Sequence, residues 1–224
     1  MVAWSDVARR IAHEIKNPLT PIRLGAERIA NSKLIQSDNK LSNTSKMILK
    51  NVDDIRHLID EFSSFSRLPS PILENINYNK FIDDTYNFFK TSYPEIKFDK
   101  TSFSNIDKKL KIYADEKQLR QVIGNVIKNS SENFQENKIL GKTITFSSII
   151  NQNNIVLSIE DNGVGIREAN KIKILEPYFT TKKNGTGLGL TISKKIIEDH
   201  HGEIIIETSE KGTKVKIKFP IDNK

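Results

Sequence analysis

Ile48, Val52, Ile55, Ile59 and Phe62 follow one another at steps of 4, 3, 4 and 3 residues. This is the heptad seam of a coiled coil or helical bundle, and it confines the stretch to a helix packed along one side. A second helical stripe precedes it, formed by Val7, Ile11 and Ile15 and continued by Ile22 and Ile29. A polar stretch from Asn31 to Ser45 separates the two runs, so the pattern predicts a helical hairpin over residues 1–68. One such hairpin has a narrow apolar seam and too little core to stand alone. Two hairpins pairing into a four-helix bundle bury the seam, which predicts a homodimer.

Leu68-Pro69-Ser70-Pro71 breaks the helical pattern, and residues 69–71 read as a hinge. The grammar then changes over residues 72–224. Ile96–Phe103 and Leu110–Ala114 read as short strands and Glu116–Phe134 as a helix. Thr143–Ile150 and Ile155–Glu160 read as strands joined by a turn at Asn151–Asn154. Leu188–His200 reads as a helix, and Glu203–Thr208 with Lys214–Phe219 as a closing hairpin. Val215, Ile217 and Phe219 alternate with Lys214, Lys216 and Lys218, which gives that last strand one core face and one wet face. The predicted class is α+β, a helical hairpin followed by an α/β sandwich.

Composition excludes more than it selects. Hydrophobic residues make up 37% and charged residues 28%, as in a soluble globular chain. There is no cysteine, which removes disulfides and cysteine-ligated metal and fits a reducing, cytoplasmic setting. No run reaches the ~18 apolar residues of a membrane span, and no secretory leader opens the chain, so no direct membrane contact is expected. The net charge of +7 permits an anionic partner of any kind. A general bias toward Lys, Ile and Asn accounts for that charge, and without a recognisable reading motif no nucleic acid partner is expected.

Several motifs begin and fail. His13-Glu14 opens like the zinc-protease HExxH, but position 17 is Asn17. Gly141-Lys142-Thr143 resembles the end of a phosphate-binding loop, but Glu136 stands where its first glycine belongs, and a strand follows. Gly185, Gly187 and Gly189 have the wrong spacing for a dinucleotide fingerprint. Signatures of Ser/Thr/Tyr protein kinases are absent. His200 and His201 are neighbours, which suits a shared metal poorly on a helix, and they read as helix-end residues.

Four segments survive together. They are His13-Glu14-Ile15-Lys16-Asn17-Pro18-Leu19-Thr20-Pro21, then Gln121 to Asn129, then Asp161-Asn162-Gly163-Val164-Gly165-Ile166, and last Glu176 to Lys182 followed by Gly185-Thr186-Gly187-Leu188-Gly189-Leu190. In this order they resemble the H, N, G1, F and G2 boxes of bacterial sensor histidine kinases. HEIKNPLTPIRLGAERI, DDIRHLIDEFSSFSRLP and EPYFTTK are most similar to NtrY-type nitrogen sensor kinases. The resemblance spans nearly the whole chain. It implies a HisKA-type dimerisation and phosphotransfer hairpin, then an ATP-binding HATPase_c domain of the GHKL (Bergerat) type.

The residues can also be read by their chemistry. His13 lies two residues from Ile11 and Ile15, hence about 160° from that stripe, and is expected to face water. A carboxylate at Glu14 could fix the imidazole tautomer and leave the other nitrogen nucleophilic. Pro18 and Pro21 each remove a helical hydrogen bond and should bend or loosen the helix after His13. Asn125 and Asn129 are four apart and share a helix face. An amide oxygen is a hard neutral ligand suited to Mg²⁺ beside phosphate, though a wet helix face in an Asn-rich chain gives the same pattern. Asp161 with Gly163 and Gly165 can accept an adenine amine, or can be ordinary turn chemistry. Glycines 185, 187 and 189 lead into a helix whose N-terminus favours phosphate.

The resemblance assigns the remaining roles. His13 would be the phosphorylated nucleophile, Glu14 its partner, and Asn17 the residue that positions water to dephosphorylate the regulator. Asn129 would hold Mg²⁺, with Asn125 helping and Lys128 adding charge near phosphate. Asp161 would read adenine with help from the Thr213 hydroxyl. Residues 167–186 would form a lid over ATP, carrying Phe179 and Lys182 or Lys183, and closing on Gly185, Thr186, Gly187, Leu188 and Gly189. The partner would be a response-regulator receiver domain, and the full-length protein could carry a membrane anchor. The chain departs from the family pattern at Ser130 (usually Ala), Arg167 (often Pro) and His201 (usually Gly), and its lid is short. Two alternatives stay open. A GHKL ATPase would not need His13, and a dimerisation module would not need an intact nucleotide site.

Overall fold

The computed structural model describes residues 2–32, 38–66, 69–101, 103, 106–182 and 185–221. The side chains of residues 2–11, 13, 57, 58 and 60–66 lie outside the described set, as do Lys183 and the expected contributions of Val7, Ile11 and Phe62 to the stripes. The chain divides into two compact units. One holds Met1–Pro69 with Thr180–Leu188, the other Ser70–Phe179 with Gly189–Lys224.

Helices α1 (Val2–Ala30) and α2 (Asn39–Ser66) pack along each other as the expected hairpin. α1 stays helical through Pro18 and Pro21, so neither proline ends it. Each proline frees a carbonyl one turn back, and the Thr20 hydroxyl donates to Lys16 O at 3.4 Å within the same stretch. α2 begins earlier than the polar stretch suggested. Asp38 caps it, its Oδ1 accepting from the N–H of Lys40 (2.8 Å) and of Leu41 (3.2 Å).

The stripe buried within the chain keeps Val52 and Ile59 of the expected α2 seam but not Ile15, Ile22 or Ile29 of α1. Ala12, Leu19, Val52 and Ile59 form the buried cluster, and Ala26 and Ser45 are buried one heptad further along each helix. Ile15, Ile22 and Ile29 on α1, and Ile48 and Ile55 on α2, are all exposed. Each helix therefore carries a second apolar line outside the contact within the hairpin. Arg23 links the helices through Asp53 (3.1 Å) and also meets Glu27 (3.4 Å).

The second unit carries β1 (Glu74–Asn77), α3 (Tyr78–Ser92), β2 (Lys97–Thr101), β3 (Lys111–Ala114), α4 (Glu116–Glu136), β4 (Thr143–Asn151), β5 (Asn154–Asp161), a single turn α5 (Glu168–Lys171), α6 (Gly189–Asp199), β6 (Glu203–Ser209) and β7 (Gly212–Pro220). β1 pairs only with β3. The main sheet runs β2-β4-β5-β7-β6, with β2 parallel to β4 and the other pairs antiparallel. One sheet face is apolar, with Ile144 and Phe146, Ile155, Leu157 and Ile159, and Val215, Ile217 and Phe219 buried. α3, α4 and α6 bury Phe81, Ile82, Phe89, Leu119, Ile123, Ile127, Ile192 and Ile196. The other sheet face is wet, and cross-strand pairs Lys214–Glu160, Lys216–Glu207 and Lys218–Glu203 line it. This is a two-layer α/β sandwich, as the alternation in β7 predicts.

α3 is an element the sequence reading did not name. Asn77 caps it by accepting from Lys80 N–H (2.9 Å). Its first residue, Tyr78, is fully buried with its hydroxyl 2.5 Å from Ser148 Oγ. Burial pushes the Tyr78 phenol well above its ordinary pKa, and the Ser148 contact offsets this only in part.

His200 is more than a helix end. It is buried, its Nε2 accepts from Asp115 N–H (2.9 Å), and its Nδ1 donates to Ile196 O (2.7 Å). α6 closes in a Schellman motif, with Gly202 N–H on Ile197 O and His201 N–H on Glu198 O. His201 takes the left-handed position at φ +56°.

Candidate functional site

α4 starts where Asp115 caps it. The Asp115 side chain accepts from Gln118 N–H (3.1 Å) through Oδ1 and from Ile72 N–H (3.0 Å) through Oδ2. The residue after the Pro69-Pro71 segment is thereby tied to the start of α4. The buried face of α4 runs Leu119, Val122, Ile123, Val126, Ile127, Ser130 and Phe134. Asn125, Asn129 and Asn133 border that face at steps of four and are all half-buried, so the helix presents three amides in a row.

Asp161 ends β5, opposite Thr213 on β7, and is buried. Its Oδ1 accepts from Gly163 N–H (3.0 Å) and Thr213 N–H (3.2 Å), and its Oδ2 accepts from the Ser130 hydroxyl (2.7 Å). The loop that follows is held by side chains from elsewhere. Asn133 Oδ1 accepts from Val164 N–H (3.3 Å), and Thr208 Oγ1 accepts from Ile166 N–H (2.7 Å). Asn162 Oδ1 accepts from Thr143 N–H (2.8 Å), and its Nδ2 donates to Gly141 O (2.9 Å).

Both loop glycines sit in close quarters, Gly163 against side chains and Gly165 against backbone. A Cβ on Gly163 would lie 2.3 Å from Asn133 Oδ1. Gly165 sits at φ +70°, and a Cβ there would lie 1.9 Å from Ser209 O. The result is a fixed carboxylate at the end of a strand, beside a glycine loop and a row of amides. Chemically it can accept hydrogen bonds from an amine on a flat ligand while backbone lies close to the ring.

Asn125 is tied to α6 through its amide nitrogen. Its Nδ2 donates to Gly189 O (3.0 Å) and Ser193 Oγ (3.1 Å), which ties α4 to the first turn of α6. Ser193 also donates to Gly189 O (2.9 Å). Lys128 is exposed and within 4.0 Å of Glu132. Thr213 meets Asp161 through its backbone N–H. Phe179 is half-buried, and the preceding Tyr178 holds φ +65° in an exposed turn, a strained conformation for an aromatic residue.

The segment Thr180–Leu188 is described by itself. Thr180 Oγ1 accepts from Lys182 N–H (3.1 Å), Lys182, Gly185, Thr186 and Gly187 are half-buried, and Leu188 is buried. Lys183 lies outside the described residues. In the hairpin, Glu14 and Asn17 are exposed on α1. His13 is on α1, and its side chain, expected to face water, lies outside the described set.

Sequence reasoning found the carboxylate, the glycines and two amides of this cradle. It missed Asn133 and Thr208 and gave Ser130 no role. The i, i+4, i+8 spacing of the three asparagines was the one available signal for Asn133.

Two known families match the chain. Residues 3–71 match the His Kinase A (phospho-acceptor) domain, and residues 114–223 match the histidine kinase-, DNA gyrase B- and HSP90-like ATPase family. Nitrogen regulation protein NtrY of Azorhizobium caulinodans is 36% identical over 217 residues, covering 94% of this chain and 28% of that protein. The chain therefore spans under a third of that relative's length. The catalytic domain of histidine kinase ThkA is 32% identical with a TM-score of 0.57, covering 66% of this chain and 95% of that one. ThkA in complex with the response regulator protein TrrA is 27% identical with a TM-score of 0.67, covering 97% of this chain and 61% of that one. A phospho-acceptor hairpin followed by an ATPase sandwich, similar along its length to an NtrY kinase, makes this chain a member of the sensor histidine kinase family.

Proposed function

We propose that this chain is a two-component kinase core in which residues 72–224 bind ATP, residues 1–68 carry the phosphorylated His13, and residues 69–71 are the hinge between them. The observation that carries the reading is the Asp161 carboxylate, held at both oxygens at the end of β5 beside the Asn129 face of α4. Asp161 accepts the adenine amine. Gly163 and Gly165 let backbone lie against the ring. Asn125 holds the start of α6, where Gly189 ends the glycine segment that faces phosphate.

Mg²⁺ fits the donor set in one particular way. Among the described residues no group of three or more His, Cys, Asp or Glu side chains could cage a metal. Mg²⁺ takes few protein ligands and keeps water and phosphate oxygens, so it would arrive with the nucleotide and take the Asn129 amide oxygen. When bound it neutralises charge on the triphosphate.

In the reaction an imidazole nitrogen of His13 attacks the γ-phosphorus. The bond to the β,γ-bridging oxygen breaks and ADP leaves. Glu14 accepts the N–H of the other ring nitrogen and holds the tautomer. The phosphoryl group then passes to a receiver-domain aspartate, and in the separate phosphatase activity Asn17 positions water that attacks the aspartyl phosphate and releases inorganic phosphate. Support for a response-regulator partner comes from the ThkA–TrrA complex, a property of that pair. A second copy covers the exposed Ile15/Ile22/Ile29 and Ile48/Ile55 stripes to complete a four-helix bundle. On this reading the core works in the cytoplasm. Among the described residues no helix is long and apolar enough to cross a membrane.

Incubation with γ-labelled ATP tests the reading. Wild type should take up acid-labile label, His13→Gln none, and Asn129→Asp at least tenfold less. Equal labelling of wild type and His13→Gln would overturn it.

A further inference from the structure

We propose that Ser130 is a specificity-determining positioning residue, whose hydroxyl aims the Asp161 carboxylate at the 6-amino group of the nucleotide base. The inference rests on the reading of Asp161 as the adenine acceptor and goes beyond it.

Ser130 is buried on the inner face of α4. Its hydroxyl has two acceptors within reach, Val126 O at 3.3 Å and Asp161 Oδ2 at 2.7 Å. It carries one proton. The shorter contact to the carboxylate takes it, because a hydrogen bond to a charged oxygen is the stronger of the two. A carboxylate's terminal torsion is otherwise soft. The N–H groups of Gly163 and Thr213 hold Oδ1 from the loop and from β7, and Ser130 holds Oδ2 from the helix. With three donors on two oxygens, the torsion is set before any ligand arrives. The donor to Oδ2 comes from the helix that also carries Asn129, so the base acceptor and the Asn129 amide share one rigid support. An alanine at position 130 would leave the torsion to the two Oδ1 donors alone and Oδ2 without its helix partner.

A carboxylate oxygen can accept a second hydrogen bond while Ser130 occupies the first. The ligand group this selects is a donor, the amine of adenine. It rejects the carbonyl of guanine and gains nothing from a purine bearing only hydrogen at that carbon. Ser130 therefore acts on discrimination between bases rather than on affinity for the phosphates.

The test is calorimetric binding of ADP and of purine riboside 5′-diphosphate, which lacks the 6-amino group, to the full chain. Wild type should prefer ADP, Asp161→Asn should abolish the preference, and Ser130→Ala should reduce it about tenfold with purine riboside diphosphate binding unchanged. Ser130→Cys keeps the side-chain size with a weak donor and should match Ser130→Ala, so a folding defect in one variant does not decide the result. If Asp161→Asn leaves the preference intact, the adenine reading itself fails. If Asp161→Asn abolishes the preference but both Ser130 variants keep it, the adenine reading stands and the Ser130 inference is overturned. Equal weakening of both nucleotides in the Ser130 variants would also overturn it, because that marks a merely structural role.

Discussion

Residues 70–221 turn their largest apolar side chains inward, and Tyr78, Phe134, Phe146, Ile144 and Leu157 are at 0% exposure. The hairpin leaves five isoleucines outside. Ile15, Ile22, Ile29, Ile48 and Ile55 are between 39% and 52% exposed and repeat in heptad register, while Ala12, Leu19, Val52 and Ile59 are buried between α1 and α2. The exposed apolar residues of the sandwich follow no heptad register: Leu140 and Ile172 stand alone, and Ile149 and Ile150 are neighbours at the end of β4, which is ordinary for a surface. A scattered residue needs no partner, but a stripe in register does. The sandwich is closed within one chain, and in the proposed dimer the hairpin is half of an interface.

That contrast can be broken most forcefully in the sandwich core. Phe134→Ala should cost about 3–5 kcal/mol of unfolding free energy in denaturant titration, without changing self-association. A smaller loss would mean that the core relaxes around the gap. In the hairpin the mirror result is expected. Ile22→Glu should weaken self-association on the order of 100-fold in analytical ultracentrifugation, about 2.8 kcal/mol, with unfolding of the sandwich unchanged. A wild-type chain that stays monomeric at high concentration would remove the contrast.

Asp115 sharpens it further, because it caps α4 and holds Ile72. Burial pushes its carboxyl up, but donation from the N–H groups of Ile72, Gln118 and Lys117 outweighs this and holds the pKa below the ordinary value. A depressed carboxylate contributes stability that is present above the unfolded pKa, about 3.9, and is lost as pH falls through the folded one. Asp115→Ala should therefore cost about 1 kcal/mol near neutral pH, and less of that cost should remain below about pH 4. Thermal melts across that range would check it. The smallest effect is a gain. His201 pays for a left-handed backbone that glycine adopts freely, so His201→Gly should stabilise the sandwich by about 0.5–1 kcal/mol in the same melts.

The sequence reading reached unevenly into these two regions, for physical reasons. Ile48, Val52, Ile55 and Ile59 announced the hairpin by period, but period does not say which of two stripes a single chain buries. Ala12, Leu19 and Ala26 decide that, and alanines do not stand out in a hydrophobic pattern. α3 went unnamed although Tyr78, Phe81, Ile82, Thr85 and Phe89 are its buried face, because the polar residues among them blur the stripe. In the candidate site, Asp161 and its glycines were legible because turn chemistry is local. Ser130 and Asn133 reach that loop from 31 residues away and Thr208 from 42, and no local pattern carries such contacts.

The proposed function turns on one phosphoryl group. Peptide mass spectrometry of the ATP-treated chain, kept alkaline throughout, locates that group. It is expected on the imidazole of His13, lost on brief acid treatment and absent when Asn129→Asp replaces the wild type. Bound nucleotide with an unmodified His13, or a phosphoryl group carried on a serine or threonine instead, would contradict it.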